Sequence, residues 1–195
     1  MPEVVELIFT PALSAKKDPE RESLRARGFV KTHDVLFLGL AAPAENLPDS
    51  SRFSLRLAEP RDLPVVAALQ NACFDHTDAV PSRDELARAI DAGNVCVLSP
   101  KGTDEILGST MFERNKSRLF IRHLAVSPAH RREGIGAALM SSMIATLRPG
   151  ENCVLWVKED NIPALRLYET LGFTPQPRRM EIWEKGISPI GSAKV

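Results

Sequence analysis

One short run of residues has the composition of a loop that binds phosphate groups. The segment RREGIG, residues 131–136, lies between a strand-like run and a helix-like run. Glycines let the backbone approach an anion without interference from a Cβ, and the two arginines and the positive end of the following helix favour negative charge. The segment therefore indicates a pyrophosphate site, although two glycines could also simply begin a helix after a tight turn.

The spacing within this loop separates it from two other nucleotide-binding motifs. The dinucleotide motif GxGxxG needs a glycine at its first position, where this loop has Arg131. A P-loop needs Gly-Lys-Ser or Gly-Lys-Thr, which the sequence lacks. A nucleotide-dependent enzyme is thus disfavoured.

The elements around the loop predict a mixed α/β domain. Downstream of residue 52, periodicity and turn signals give the order β-α-α-β-β-β-α-β-α-β. One helix begins at Asp62, and Ser82 with Glu85 forms a capping box that begins the next. The apolar face of the first helix is predicted to be Val65, Val66, Leu69 and Cys73. The remaining helices are expected at 134–147 and 161–171, and the strands at 53–58, 95–98, 106–113, 119–126, 154–157 and 180–184.

The chain divides at a stretch with the composition of a linker. Residues 41–51, AAPAENLPDSS, combine two prolines with small and polar residues. We therefore expect a segment at 1–40, a linker at 41–51, a main domain at 52–187 and a tail at 188–195.

Composition limits the class of protein. The 195 residues are 44% hydrophobic and 26% charged, which is typical of a folded globular chain. Basic and acidic residues number 25 each, so no net charge favours nucleic acid or an acidic membrane. Since no apolar run approaches the ~20 residues of a membrane span and no signal peptide is evident, we expect a cytoplasmic protein. The three cysteines, Cys73, Cys96 and Cys153, are predicted to be buried free thiols.

Two motifs together carry a resemblance to a known family. The run HLAVSPAHRREGIGAALM, followed about 25 residues later by NIPALRLYETLGF, resembles the GCN5-related N-acetyltransferase (GNAT) superfamily over about residues 53–185. The resemblance implies an acyl-CoA N-acyltransferase fold, with a mostly antiparallel central sheet that splays beside the loop and flanking helices. It implies acetyl-CoA as cosubstrate, no metal, and cofactor contacts from Leu124, Ala125, Val126, Arg131, Arg132, Gly134, Ile135, Gly136, Ala137, Asn161 and Tyr168.

The resemblance also implies direct transfer of an acetyl group to a primary amine. Tyr168 would be the general acid that protonates the leaving thiolate, and His123 or Glu113 the base that deprotonates the amine. His123 and Glu113 could each instead be solvated strand residues, and Asn161 could simply cap its helix. Cys153 has no activating partner nearby in sequence, which disfavours a covalent route.

The acceptor and the partners are less defined. The alternative function is a non-catalytic acyl-CoA-binding regulatory module. The polar, slightly acidic stretch at 74–78 suggests a cationic amine on a small molecule or a peptide. Neither nucleic acid nor a membrane is expected as a partner, and a homodimer is left open.

The first 40 residues echo the end of the main domain. ESLRARGF at 22–29 and the apolar run at 35–38 resemble LRLYETLGF at 165–173 and its following strand, with Leu24 in the place of Tyr168. We predict a partial strand-helix-strand repeat without a glycine loop, whose strands at 4–9 and 35–38 join the C-terminal strands of the main domain, either in the same chain or in a dimer partner.

Overall fold

The computed structural model describes residues 3–10, 18–40 and 47–186. Its strands form one sheet in the order β1-β8-β2-β7-β6-β5-β4-β3. The elements are β1 (Glu3–Phe9), α1 (Pro19–Ala26), β2 (Val30–Leu40), β3 (Phe53–Leu57), α2 (Leu63–Cys73), α3 (Arg83–Asp91), β4 (Val95–Pro100), β5 (Gly108–Arg114), β6 (Arg118–Val126), α4 (Ile135–Ile144), β7 (Asn152–Lys158), α5 (Ile162–Thr170) and β8 (Thr174–Lys185).

The fold class is confirmed. Neighbouring strands pair antiparallel throughout the described sheet except for β6 and β7, which run parallel. From β3 to β8 the elements follow each other in the predicted order. Among the residues described, no helix combines the length and the apolar character needed to cross a bilayer.

Local side chains begin the helices that flank the sheet. The predicted capping box of α3 is present, because the Ser82 N–H donates to Glu85 at 2.8 Å and the Glu85 N–H donates to the Ser82 hydroxyl at 3.3 Å. The Asn161 side chain accepts from the Ala164 N–H at 3.3 Å and so caps α5. These interactions determine the residue at which each helix begins.

The buried stripe of α2 differs from the prediction. Val66 and Leu69 are buried as expected, but Val65 is 45% exposed and Gln70 is buried in its place. Positions 66, 69, 70 and 73 follow the helical spacing i, i+3, i+4 and i+7 and form the buried face, whereas 65 lies at its edge. The prediction for Val65 was wrong because the positions 65, 69 and 73 also fit a helical spacing, so hydrophobicity alone favoured Val65 over Gln70.

Helices cover both faces of the sheet. Along β4, Val95 and Val97 pack in a cluster with Val66 and Leu86 of α2 and α3, whereas Leu98 packs against Leu139 of α4. Since side chains alternate along a strand, these helices lie on opposite faces. The largest cluster of buried residues includes α4, α5, β6 and β7 together with Leu38 and Leu40 of β2.

The N-terminal strands are part of this sheet, as predicted. β2 lies between β7 and β8 and pairs antiparallel with both, while β1 pairs with the outer edge of β8. In the comparison of the two strand-helix-strand units, β1 corresponds to β7 and β2 corresponds to β8. Each N-terminal strand therefore pairs with the C-terminal strand that it does not correspond to, β1 with β8 and β2 with β7, and β2 and β8 also pair with each other.

The two strand-helix-strand units also end their helices in the same way. The Phe29 N–H donates to the Leu24 carbonyl at 3.0 Å, and the Phe173 N–H donates to the Tyr168 carbonyl at 2.9 Å. Gly28 and Gly172 follow the helices with φ of +84° and +90°, a conformation that favours glycine. The local geometry of 1–40 and of the end of the main domain is therefore alike.

The linker and the tail are only partly described. Residues 41–46 of the predicted linker and the whole tail, 188–195, lie outside the described residues, whereas Leu47 packs against the main core.

Cys96 and Cys153 are buried as expected, and burial raises their pKa values to about 11 and about 12. Cys73 is only half-buried, because it faces the cavity described next.

Candidate functional site

The two parallel strands diverge at the predicted cofactor position. β6 pairs with β7 from Arg118 to Ile121 only, whereas its other edge stays paired with β5 as far as Val126. A shift in register between Met111 and Phe112 of β5 marks a bulge in β6 at this point. Leu124, Ala125 and Val126 therefore have no strand partner on the β7 side, so their backbone groups could pair with an extended ligand.

The glycine loop presents a row of free backbone donors. Among the described residues, the N–H groups from 131 to 137 donate to no other backbone group. The first N–H groups of a helix have no partner within it, and those of α4 carry the positive end of its dipole. Arg131 and Arg132 are exposed beside them. The residues present therefore fit a pyrophosphate group.

The two glycines of the loop have different structural roles. Gly134 precedes α4 with φ of +80°, and a Cβ there would meet nothing within 4 Å. A Cβ on Gly136 would lie 3.4 Å from Leu167 Cδ2 and 3.6 Å from Val126 Cγ2. Gly136 therefore faces the contact of α4 with α5 and β6.

We expect Gly134→Val to weaken acetyl-CoA binding at least tenfold, which is about 1.4 kcal/mol. A β-branched residue strongly disfavours this φ, so the loop must move and its N–H groups lose their alignment. Gly150→Val is the matched control, since Gly150 has φ of +81° and equally open surroundings outside the loop. Calorimetry showing equal affinity in both folded variants would contradict the assignment of the loop.

A cavity of about 520 Å³ opens where β6 and β7 diverge. His123, Leu124, Asn161 and Tyr168 all line it, so the structure brings these predicted residues together. Tyr168 is 7% exposed and packs against Phe173 with ring centres 5.6 Å apart. Burial raises the pKa of Tyr168 well above its usual range, so its hydroxyl keeps its proton at neutral pH.

His123 lies on the β6 wall of the cavity. Its side chain is buried and meets the edge of the Phe74 ring, with ring centres 5.2 Å apart. Burial and, to a smaller extent, the Arg122 guanidinium lower the pKa of His123 to about 4, while Asp78 acts in the opposite direction. The imidazole is therefore neutral at pH 7 and has an unprotonated nitrogen.

Glu113 does not join this group. Its carboxylate is exposed and lies 3.4 Å from the Arg122 guanidinium, and Glu113 does not line the cavity. The structure thus separates the two predicted candidates for the base and leaves His123 in the same cavity as Tyr168.

The sequence alone did not reveal the clamp that closes one side of the cavity. Lys158 Nζ lies 2.8 Å from Asp78 and 2.6 Å from the Thr77 hydroxyl, and it also contacts Asp75. Desolvation opposes ionisation of Asp75, but hydrogen bonds from Thr77 and the charge of Lys158 outweigh it and lower its pKa to about 2. This clamp ties the segment after α2, with Phe74, to the end of β7.

Cys73 is a further residue of the cavity whose place there had no signal in the sequence. Its thiol donates to the Val126 carbonyl at 3.2 Å and lines the cavity. One of the main-chain groups predicted to face the cofactor therefore already has a side-chain partner.

The chain belongs to the acetyltransferase (GNAT) family, whose model matches residues 63–173. It is 33% identical over 78 residues to the [ribosomal protein bS18]-alanine N-acetyltransferase of Escherichia coli (strain K12), a match that covers 39% of this chain and 51% of that protein. It is 30% identical over 96 residues to the UPF0157 protein YqkA of Bacillus subtilis (strain 168), covering 49% and 28%. The chain thus spans about half or less of the length of these relatives.

Solved structures share the fold. The GCN5-related N-acetyltransferase from Sphaerobacter thermophilus matches with a TM-score of 0.66 and 15% identity, over 94% of this chain and 60% of that one. The putative GNAT-family acetyltransferase from Novosphingobium aromaticivorans matches with a TM-score of 0.62 and 16% identity, over 96% and 76%. The ribosomal-protein-S18-alanine N-acetyltransferase from Escherichia coli matches with a TM-score of 0.54 and 21% identity, over 73% and 99%.

Proposed function

We propose that this protein transfers the acetyl group of acetyl-CoA directly to a primary amine. The observation that carries the proposal is the cavity where β6 and β7 diverge, which opens beside Leu124 and contains both His123 and Tyr168. The free N–H groups of the loop at 131–137 and the two neighbouring arginines supply an anchor for the pyrophosphate.

The residues of the cavity have complementary proton states. Bound acetyl-CoA would supply an acetyl thioester to an attacking amine. His123 is neutral and accepts the proton that the amine nitrogen loses as it forms its bond to carbon. Tyr168 holds its proton and donates it to the thiolate as the carbon–sulfur bond breaks. Solvent then returns a proton from His123 to Tyr168, so the cycle is balanced.

A panel of amines tests the proposal. We expect thiol release from acetyl-CoA to depend on the amine and acetylated amine to form in equal amount, as detected by mass spectrometry. A protein that binds acetyl-CoA in calorimetry but acetylates no amine in the panel would instead be the non-catalytic binding module.

The pH dependence of the rate follows from the two shifted groups. The folded pKa of His123 lies below its unfolded value of about 6.5, so only the unfolded chain takes up this proton as pH falls from 6.5 towards 4, and the fold loses stability there.

Neither His123 nor Tyr168 changes charge between pH 6 and 9. We therefore expect kcat/KM to rise with pH over this range only as the acceptor ammonium deprotonates.

Two amines of different pKa check this expectation. The rise should move with the pKa of the acceptor. A fixed inflection near pH 6.5 that disappears in His123→Asn would show that His123 titrates normally and would contradict the structure.

We further infer that residues 1–40 are a partial GNAT-like repeat without its own acyl-CoA site. Two observations support this inference. The helices of the two units end alike, at Gly28 and Gly172, and each N-terminal strand pairs with the C-terminal strand that it does not correspond to, β1 with β8 and β2 with β7. Leu24 occupies the place of Tyr168 and offers no acid. Residues 52–187 would then form the catalytic unit.

A further inference from the structure

The N-terminal strands form the far end of the catalytic cavity. Glu6 of β1 and His33 and Val35 of β2 line the same cavity as His123 and Tyr168. They reach it because β2 is inserted beside β7, and β8 and β1 continue the sheet beyond it. The repeat therefore contributes side chains to the cavity as well as strands to the sheet.

The floor of this end is apolar. Glu6 and His33 both pair with Ile182, one from each side of β8, so the three side chains lie in a row on one face of the sheet. Beside that row, Val35 and Met180 pack with Ile182 in one buried cluster. A ligand that crosses this floor meets methyl and methylene groups before it reaches Glu6.

Glu6 differs from the other charged groups that line the cavity. Lys158 is held by Asp75 and Asp78, the Asp160 carboxylate lies 3.3 Å from His33 Nδ1, and Arg122 faces Glu113. Glu6 makes no hydrogen bond or ion pair with any residue the structure describes. Its carboxylate is thus available to a cation from outside the chain.

The sheet also sets the distance. Adjacent strands lie about 4.8 Å apart, so the three steps from β7 through β2 and β8 to β1 span about 14 Å. The proposed reaction takes place where β7 leaves β6. Lys158 at the end of β7 is level with Ile8 of β1, and Glu6 lies two residues, about 7 Å, farther along that strand. A cation at Glu6 would therefore be about 16 Å from a nitrogen at the end of β7, across an apolar spacer.

We propose that the acceptor is a primary amine that carries a second cationic group about 16 Å from the reacting nitrogen, and that Glu6 binds that group. This inference rests on the proposed acetyl transfer and names its substrate class. Such an acceptor is either a long aliphatic diamine or an N-terminal peptide with a basic side chain a few residues along.

Two matched probes isolate the second charge. In 1,12-diaminododecane the nitrogens are about 16 Å apart in the extended form, whereas 12-aminododecanol has the same length and one charge. We expect kcat/KM for the diamine to exceed that for the amino alcohol at least fivefold. In Glu6→Gln the ratio should fall to near one, with the amino alcohol unaffected.

Glu3→Gln is the matched control. Glu3 lies on the same strand, but three residues away and so on the opposite face, where it contacts Arg27 at 3.5 Å. The fivefold preference should persist in this variant, and added salt should reduce it in the wild type. An unchanged preference in Glu6→Gln would overturn the inference.

Binding separates this inference from the proposed function. If no probe releases thiol, acetyl transfer fails, but calorimetry of the diamine with CoA-loaded protein still tests Glu6. At least fivefold weaker binding in Glu6→Gln than in Glu3→Gln supports the site, and equal binding refutes it. Ala-Leu-Leu-Lys-amide compared with Ala-Leu-Leu-Gln-amide then shows whether a peptide is the preferred source of the second charge.

Discussion

Tyr168→Phe is expected to lower kcat about 100-fold or more while acetyl-CoA affinity stays within about twofold. The change deletes only the hydroxyl that we propose protonates the leaving thiolate. The ring keeps its place in the main core against Phe173. Steady-state kinetics together with calorimetry of acetyl-CoA binding measure the two quantities.

A neighbouring substitution separates acid catalysis from packing. Phe173→Leu disturbs the contact with the Tyr168 ring and keeps the hydroxyl, so it should lower the melting temperature and retain kcat per folded molecule. If Tyr168→Phe retained full kcat, Tyr168 would be a packing residue and another proton donor would be needed.

Removal of residues 1–46 is expected to abolish cooperative folding. The deletion takes away β2 from between β7 and β8, as well as β1, and so leaves β8 without a strand partner among the described residues. We expect so large an effect because β2 lies inside the sheet rather than along its edge. Near-UV circular dichroism and urea titration measure the loss.

A point substitution tests the same strand in a protein that still folds. Leu40 of β2 is 1% exposed in the main core, so Leu40→Ala should lower the free energy of unfolding by about 2–5 kcal/mol. Leu57→Ala, at a position that is 54% exposed, should change it far less. If the truncated chain unfolded cooperatively and remained active, the N-terminal segment would be dispensable for the fold.

Much of the fold was predictable because its signals are local. The capping box at Ser82 and the glycine after α5 mark helix ends through contacts within a few residues. β8 begins at Thr174, six residues before the predicted strand at 180–184, and so includes Pro175 and Pro177. The register with β2 shifts near Pro175, and this irregularity accommodates residues that cannot donate to a regular ladder.

Only part of the cavity was predictable from the sequence, because only part of it is built from residues that are contiguous in the chain. The loop and the strand before it are contiguous in sequence, so their composition identified them. Phe74, Lys158 and Glu6 come together only through the order of the strands, and nothing in their neighbouring residues indicates that order. Contacts that join distant segments depend on topology, which periodicity does not specify.

The insertion of β2 between β7 and β8 also has a consequence for synthesis on the ribosome. β2 is made early, yet its strand partners β7 and β8 begin only about 110 and about 130 residues after it ends. At ~5–20 residues per second, the nascent strand waits roughly 6–20 s with its edges unpaired and its apolar side chains, including Leu38 and Leu40, uncovered. During that interval the growing chain depends on chaperones or on temporary contacts, so its yield in cells should respond to the speed of translation as well as to the stability of the finished sheet.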